Sequence, residues 1–189
     1  MSMLTETHAL SNKMKIIVNP EKPEKFSQKH VSFYMKYASF VFRTLRRPSF
    51  QKFLRWMLRK ENIEEQMVRD VQVRVFPFRR KNGNGLAGNC NTGMGKIQIY
   101  PKTLKSCQEL MQEFGKDKFI SYAGSRARAA LIHELLHLKY ANDEEKVREL
   151  TKEYFAVFTQ NRPAQSSHVS SIYSMIFKTK IEDSLKCVE

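Results

Sequence analysis

His133-Glu134-Leu135-Leu136-His137 is the segment whose residue types and spacing could do chemistry. On a helix, residues four apart lie one turn above each other on the same face, so His133 and His137 can offer ring nitrogens to one ion. Neutral imidazole suits Zn²⁺, and a catalytic zinc takes three protein ligands and leaves a fourth position for water. Glu134, directly after the first histidine, could reach that water and act as its general base. The flanking Ala129, Ala130, Leu131, Leu135 and Leu136 make the helix apolar enough to be buried. Two histidines at this spacing are awkward in a core without a shared partner.

A third ligand is required. Asn142-Asp143-Glu144-Glu145 reads as a helix start, with Asn142 able to cap and acids filling the first turn. The helix that follows buries Val147, Leu150, Tyr154 and Phe158. At about 100° per residue, Asp143 falls about 40° to one side of Val147 and Glu144 about 60° to the other. Glu145, Glu149 and Glu153 point away. The inward-facing acids are therefore Asp143 and Glu144.

The run from His133 to Asp143, followed by an amphipathic helix, resembles the zincin peptidases of the WLM, SprT-like and YgjP-like groups. Their pattern is HExxH, five residues, then a third ligand opening the next helix. The resemblance implies zinc held by His133, His137 and Asp143, with Glu134 as general base in peptide-bond hydrolysis. Those groups usually carry a histidine where Asp143 stands; metzincins sometimes use Asp at this spacing but have glycine where this chain has Tyr140. A minimal gluzincin, with Glu144 as ligand, is the alternative assignment. The implied fold is α+β and zincin-like: a small twisted sheet above an active-site helix. In that fold Lys96–Tyr100 would be the edge strand binding substrate, with Gln98 and Tyr100 as candidates to face the cleft.

The remaining elements must position this helix. Residues 1–23 read as a flexible lead-in, residues 24–62 as a basic helical hairpin, residues 63–160 as the catalytic domain and residues 161–189 as a C-terminal tail. In the hairpin, Phe26, Phe33, Tyr37, Val41 and Leu45 recur at helical spacing, Pro48 interrupts, and Phe50, Phe53, Leu54, Met57 and Leu58 follow. His30 lies on the first stripe and reads as packing. Val71–Phe78 alternates like a strand, with Pro77 tolerated only at an edge or end. The Gly/Asn-rich stretch 82–95 reads as a connection, since it lacks the pattern of a phosphate-binding loop. Helices are expected at 104–114, 125–140 and 143–158.

The chain has 189 residues and a net charge of +14. Residues 1–60 hold thirteen Lys/Arg against three Glu. Arg43, Arg46, Arg47, Lys52, Arg55, Arg59 and Lys60 lie close together and could attract nucleic-acid phosphates. The preferred reading is a solvated basic face. A non-proteolytic nucleic-acid-binding or adaptor protein with a structural zinc is the competing function. Three cysteines without paired spacing, Cys90, Cys107 and Cys187, argue against a disulfide framework. Cys90 is read as an inert thiol, and His168 in the tail has no assigned role. The N-terminus lacks the apolar centre of a secretory signal and no apolar run spans a bilayer, so a cytoplasmic protein is expected.

Overall fold

The computed structural model describes residues 14–20, 26–78 and 85–160. Its elements run β1 (Ile16–Asn19), α1 (Gln28–Leu45), α2 (Pro48–Lys60), β2 (Asp70–Arg74), β3 (Gly88–Asn91), β4 (Lys96–Ile99), α3 (Leu104–Phe114), α4 (Lys116–Tyr140) and α5 (Glu144–Gln160). The protein is a mixed α+β structure with a four-stranded sheet ordered β1-β2-β4-β3. Strands β1, β2 and β4 run parallel and β3 is antiparallel to β4. No helix among the described residues is long and apolar enough to cross a membrane.

In-register residues of neighbouring strands share a face. Two rows, Ile16–Val71–Ile97–Cys90 and Val18–Val73–Ile99–Gly88, form the buried side. The intervening row, Ile17–Gln72–Gln98–Asn89, is largely polar. The apolar rows belong to the same core as α1 and α4.

Helix α4 is the centre of the molecule. Every residue from Arg126 to His137 is buried, as expected for a helix covered on all sides. Leu131, Ile132, Leu135 and Leu136 are fully buried, each contributing about 1.5–3 kcal/mol relative to exposure. Gly115, at φ 84°, separates α3 from α4; glycine adopts this conformation without steric cost. Helix α4 therefore starts nine residues before the expected Ser125, its first turns carrying the polar Lys116-Asp117-Lys118. Helix α1 packs Tyr34, Tyr37, Ala38, Val41 and Leu45 into the core. It ends where Pro48 forces Arg47 into an extended conformation (ψ 131°), and Pro48 then opens α2.

Three expectations change. Residues 16–19, assigned to the lead-in, form a strand paired along its length with β2. Residues 88–91, inside the presumed connection, form strand β3, and Gly95 at φ 61° helps close the turn to β4. The edge strand beside α4 is consequently β3; the strand at 96–99 lies between β2 and β3. Gln98 and Tyr100 instead satisfy each other, the Tyr100 hydroxyl donating to Gln98 Oε1 at 2.8 Å. The buried residues of the basic hairpin belong to the common core. The tail at 161–189, with His168 and Cys187, lies outside the described residues.

Candidate metal centre

His133 and His137 occupy successive turns of α4 and are 1% and 2% exposed. Their Nε2 atoms stand 3.0 Å apart. Glu144, the first residue of α5, brings Oε1 to 3.6 Å from His133 Nε2 and Oε2 to 3.4 Å from His137 Nε2. These three side chains form a group that could hold a metal ion.

The partners of the opposite ring nitrogens define the tautomers. His137 Nδ1 lies 2.6 Å from the Ala141 carbonyl, which can only accept, so His137 carries its proton on Nδ1. Thr151 donates its single hydroxyl proton to the Val147 carbonyl at 2.7 Å. Its oxygen, 3.3 Å from His133 Nδ1, therefore accepts from that ring. Both histidines thus turn Nε2, the nitrogen opposite these contacts, toward Glu144. Burial, reinforced by the neighbouring His137 and Arg148, pushes the His133 pKa down to about 3, so the ring is neutral near pH 7.

This convergence fits a cation. In the neutral state that a metal requires, the two imidazoles would face each other through lone pairs and repel, and the carboxylate beside them adds further lone pairs. Both Glu144 oxygens are buried without a hydrogen-bond donor, an arrangement costing about 1–3 kcal/mol per group unless something compensates it. Arg148, one turn along α5, approaches Glu144 Oε1 only to 3.6 Å. A metal ion shared by the three side chains would relieve all of these contacts.

Asp143 does not join the group. Its Oδ1 accepts from the backbone N–H of Lys146 at 3.0 Å, and its carbonyl accepts from Val147 N–H at 3.0 Å. Asp143 is therefore the N-cap of α5, the role expected of Asn142, and Glu144 is the acid that meets the histidines. The turn between α4 and α5 explains this one-residue displacement. Ala141 sits at φ 45°, ψ −111°, a conformation that L-residues rarely adopt. It ends α4 abruptly, directs its carbonyl at His137 Nδ1, and begins α5 so that Glu144 faces inward.

Glu134 is 3% exposed and lies against edge strand β3. A Cβ added to Gly88 would stand 2.6 Å from Glu134 Oε1 and 2.7 Å from its Cγ. The row Val18–Val73–Ile99–Gly88 loses its side chain at the last position, which leaves room for this carboxylate. Cys90, half-buried two residues further along β3, lies outside the metal-binding group.

Two supporting residues are not apparent from sequence. Thr151 sits on the buried stripe of α5, where the apolar pattern points to Leu150, and carries no signal apart from its helical register. Glu61, the C-cap of α2, is buried and accepts from the Tyr140 hydroxyl at 2.7 Å, Lys139 Nζ at 3.1 Å and the Tyr154 hydroxyl. Burial alone would raise its pKa; the bonds from Tyr154, Tyr140 and Lys139 outweigh that and hold it below the ordinary carboxylate value. Glu61 thereby ties the end of α2 to both helices of the metal-binding group. Tyr140 and Tyr154, which sequence alone would assign to packing, are its donors.

Comparison with models of known families, with curated proteins and with solved structures finds no match.

Proposed function

We propose that the chain is a zinc-dependent metallopeptidase, with His133, His137 and Glu144 as ligands and Glu134 as general base. The observation that carries this reading is the convergence of two imidazoles and a carboxylate whose buried oxygens lack a hydrogen-bond donor, with a second, buried carboxylate, Glu134, directly following His133. Tetrahedral zinc, with bonds of roughly 2.0–2.1 Å, separates its ligand atoms by about 3.3 Å. The separations of 3.0, 3.4 and 3.6 Å bracket that value, with one Glu144 oxygen near each histidine. Zn²⁺ bound there would polarise a peptide carbonyl and acidify a water.

The chain's own residues supply the rest. Edge strand β3 offers backbone groups on the side away from β4, to which an extended peptide can add. Such a peptide runs past Gly88 and hence past Glu134. Glu134 takes a proton from the attacking water and delivers it to the departing amine as the carbon–nitrogen bond breaks. Thr151 and the Ala141 carbonyl keep both imidazoles in the binding tautomer.

The test combines zinc analysis of the purified protein with cleavage of an unfolded protein by wild type and Glu134→Gln. One bound zinc per chain and a loss of cleavage of about 10²-fold or more are expected. Equal cleavage by the two proteins sinks the peptidase reading and leaves a structural metal. Absence of zinc binding removes both.

A further inference from the structure

Between residues 26 and 60 there are nine Lys/Arg and no Asp or Glu. Eight of the nine are exposed and Arg55 is half-exposed. On α1, Lys29, Lys36 and Arg43 are spaced by seven, so they line one face, with Ser32 and Ser39 between them. On α2, Lys52, Arg55, Arg59 and Lys60 share the outer side with Trp56. Among the described residues none of these cations pairs with a carboxylate: Arg43 Nε donates to the Ser39 carbonyl, Arg46 lies over Phe42, and Lys60 lies over Trp56 and Tyr154. An ordinary solvated surface intersperses both signs of charge. Among the described residues this self-repulsion meets no carboxylate partner, and a polyanion would supply one.

Trp56 indicates which polyanion. It is 44% exposed, whereas Phe50, Leu54, Met57 and Leu58 of its helix are fully buried and Phe53 is half-buried. Phe53 and Tyr154 brace the indole at centroid distances of 5.5 and 5.9 Å, so the ring is held rather than loose. The Lys60 ammonium, 5.4 Å from the ring centroid, sets a cation beside this stacking surface. A lone ring with no exposed apolar neighbour on its helix is poorly suited to entering a bilayer. A duplex keeps its base faces stacked on each other, whereas a single strand presents both phosphates and free base faces.

We propose that the outer face of α2 binds single-stranded nucleic acid, with phosphates held by Lys52, Arg55, Arg59 and Lys60 and a base stacked on Trp56. This surface uses none of the metal-binding residues, and the proposal stands independently of the peptidase reading.

Trp56 is the chain's single tryptophan, so its emission reports on the site directly. The full-length protein is titrated with an oligothymidylate of about 12 nucleotides, within the range of single-strand site sizes. Binding that quenches the emission is expected, and four phosphate contacts would weaken affinity about 50-fold between about 50 and about 200 mM salt. Trp56→Ala should weaken binding about 5- to 150-fold, with Trp56→Phe restoring most of it. Lys52→Ala combined with Arg59→Ala should reduce the logarithmic salt slope by about 1.4. The matching duplex, polyglutamate and phosphatidylserine vesicles serve as competing anions. No quenching at low salt, binding indifferent to Trp56→Ala, or equal quenching by any of the three competitors would overturn the proposal.

Discussion

Exchanging the two acids at the start of α5 separates a ligand from a cap. Asp143→Asn keeps an acceptor for the Lys146 N–H, and Asn caps helices as well as Asp does. Its stability should match wild type, while Asp143→Ala should cost about 1 kcal/mol. Neither change touches the two imidazoles. Glu144→Gln, in contrast, removes the charge from the one carboxylate whose oxygens stand 3.4–3.6 Å from both histidines. Zinc at 100 times its dissociation constant stabilises a folded protein by about 2.7 kcal/mol. If Glu144→Gln weakens zinc binding about 100-fold, the same zinc concentration leaves only about 0.4 kcal/mol. Chelator-competition titrations, paired with urea denaturation with and without zinc, measure both quantities. Asp143→Asn should retain wild-type zinc affinity and the full zinc-dependent stabilisation; Glu144→Gln should lose nearly all of it. The reverse result, zinc lost on Asp143→Asn and kept on Glu144→Gln, would refute the assignment of the third ligand.

Two further outcomes follow from the packing around the site. Gly88→Ala puts a methyl group against the Glu134 carboxylate; a cost of about 1–3 kcal/mol is expected, with cleavage impaired and zinc affinity kept, and unchanged cleavage would show that this contact does not constrain the base. Glu61 has a depressed pKa in the folded protein, so its charged form contributes stability above the ordinary carboxylate pKa, and that contribution is lost as pH falls through the folded value. Urea midpoints of wild type and Glu61→Gln should therefore differ near neutral pH and approach each other below about pH 4; a pH-independent gap would assign the effect to packing rather than to the ionised carboxylate.

Local periodicity makes much of the site legible in the sequence. The i, i+4 placement of His133 and His137 and the adjacency of Glu134 depend only on the helix repeat, and α4 holds all three buried together. The apolar stripes of α1, α2 and α5 are visible for the same reason, because 3.6-residue periodicity is written within one or two turns. Strand β3 is not visible: Gly88-Asn89-Cys90-Asn91 contains no β-branched or aromatic residue, and its pairing with β4 alone makes it a strand. The short β1, by contrast, carries the β-branched run Ile16-Ile17-Val18, and what the sequence hides is its partner, a strand more than fifty residues away.

The choice between Asp143 and Glu144 marks the boundary most sharply. Sequence narrows the third ligand to two neighbours about 100° apart on a helix, and helix periodicity can go no further. The backbone of Ala141, turned to φ 45° between two packed helices, sets where α5 begins and which acid caps it. Glu61 and Thr151 belong to the same category, as polar residues whose partners lie on other elements. Residue types and spacing determined that this chain carries two histidines and a glutamate poised on one helix. Only tertiary packing decided which carboxylate completes the group, because that depends on how α4, α5 and α2 dock rather than on the repeat of any one of them.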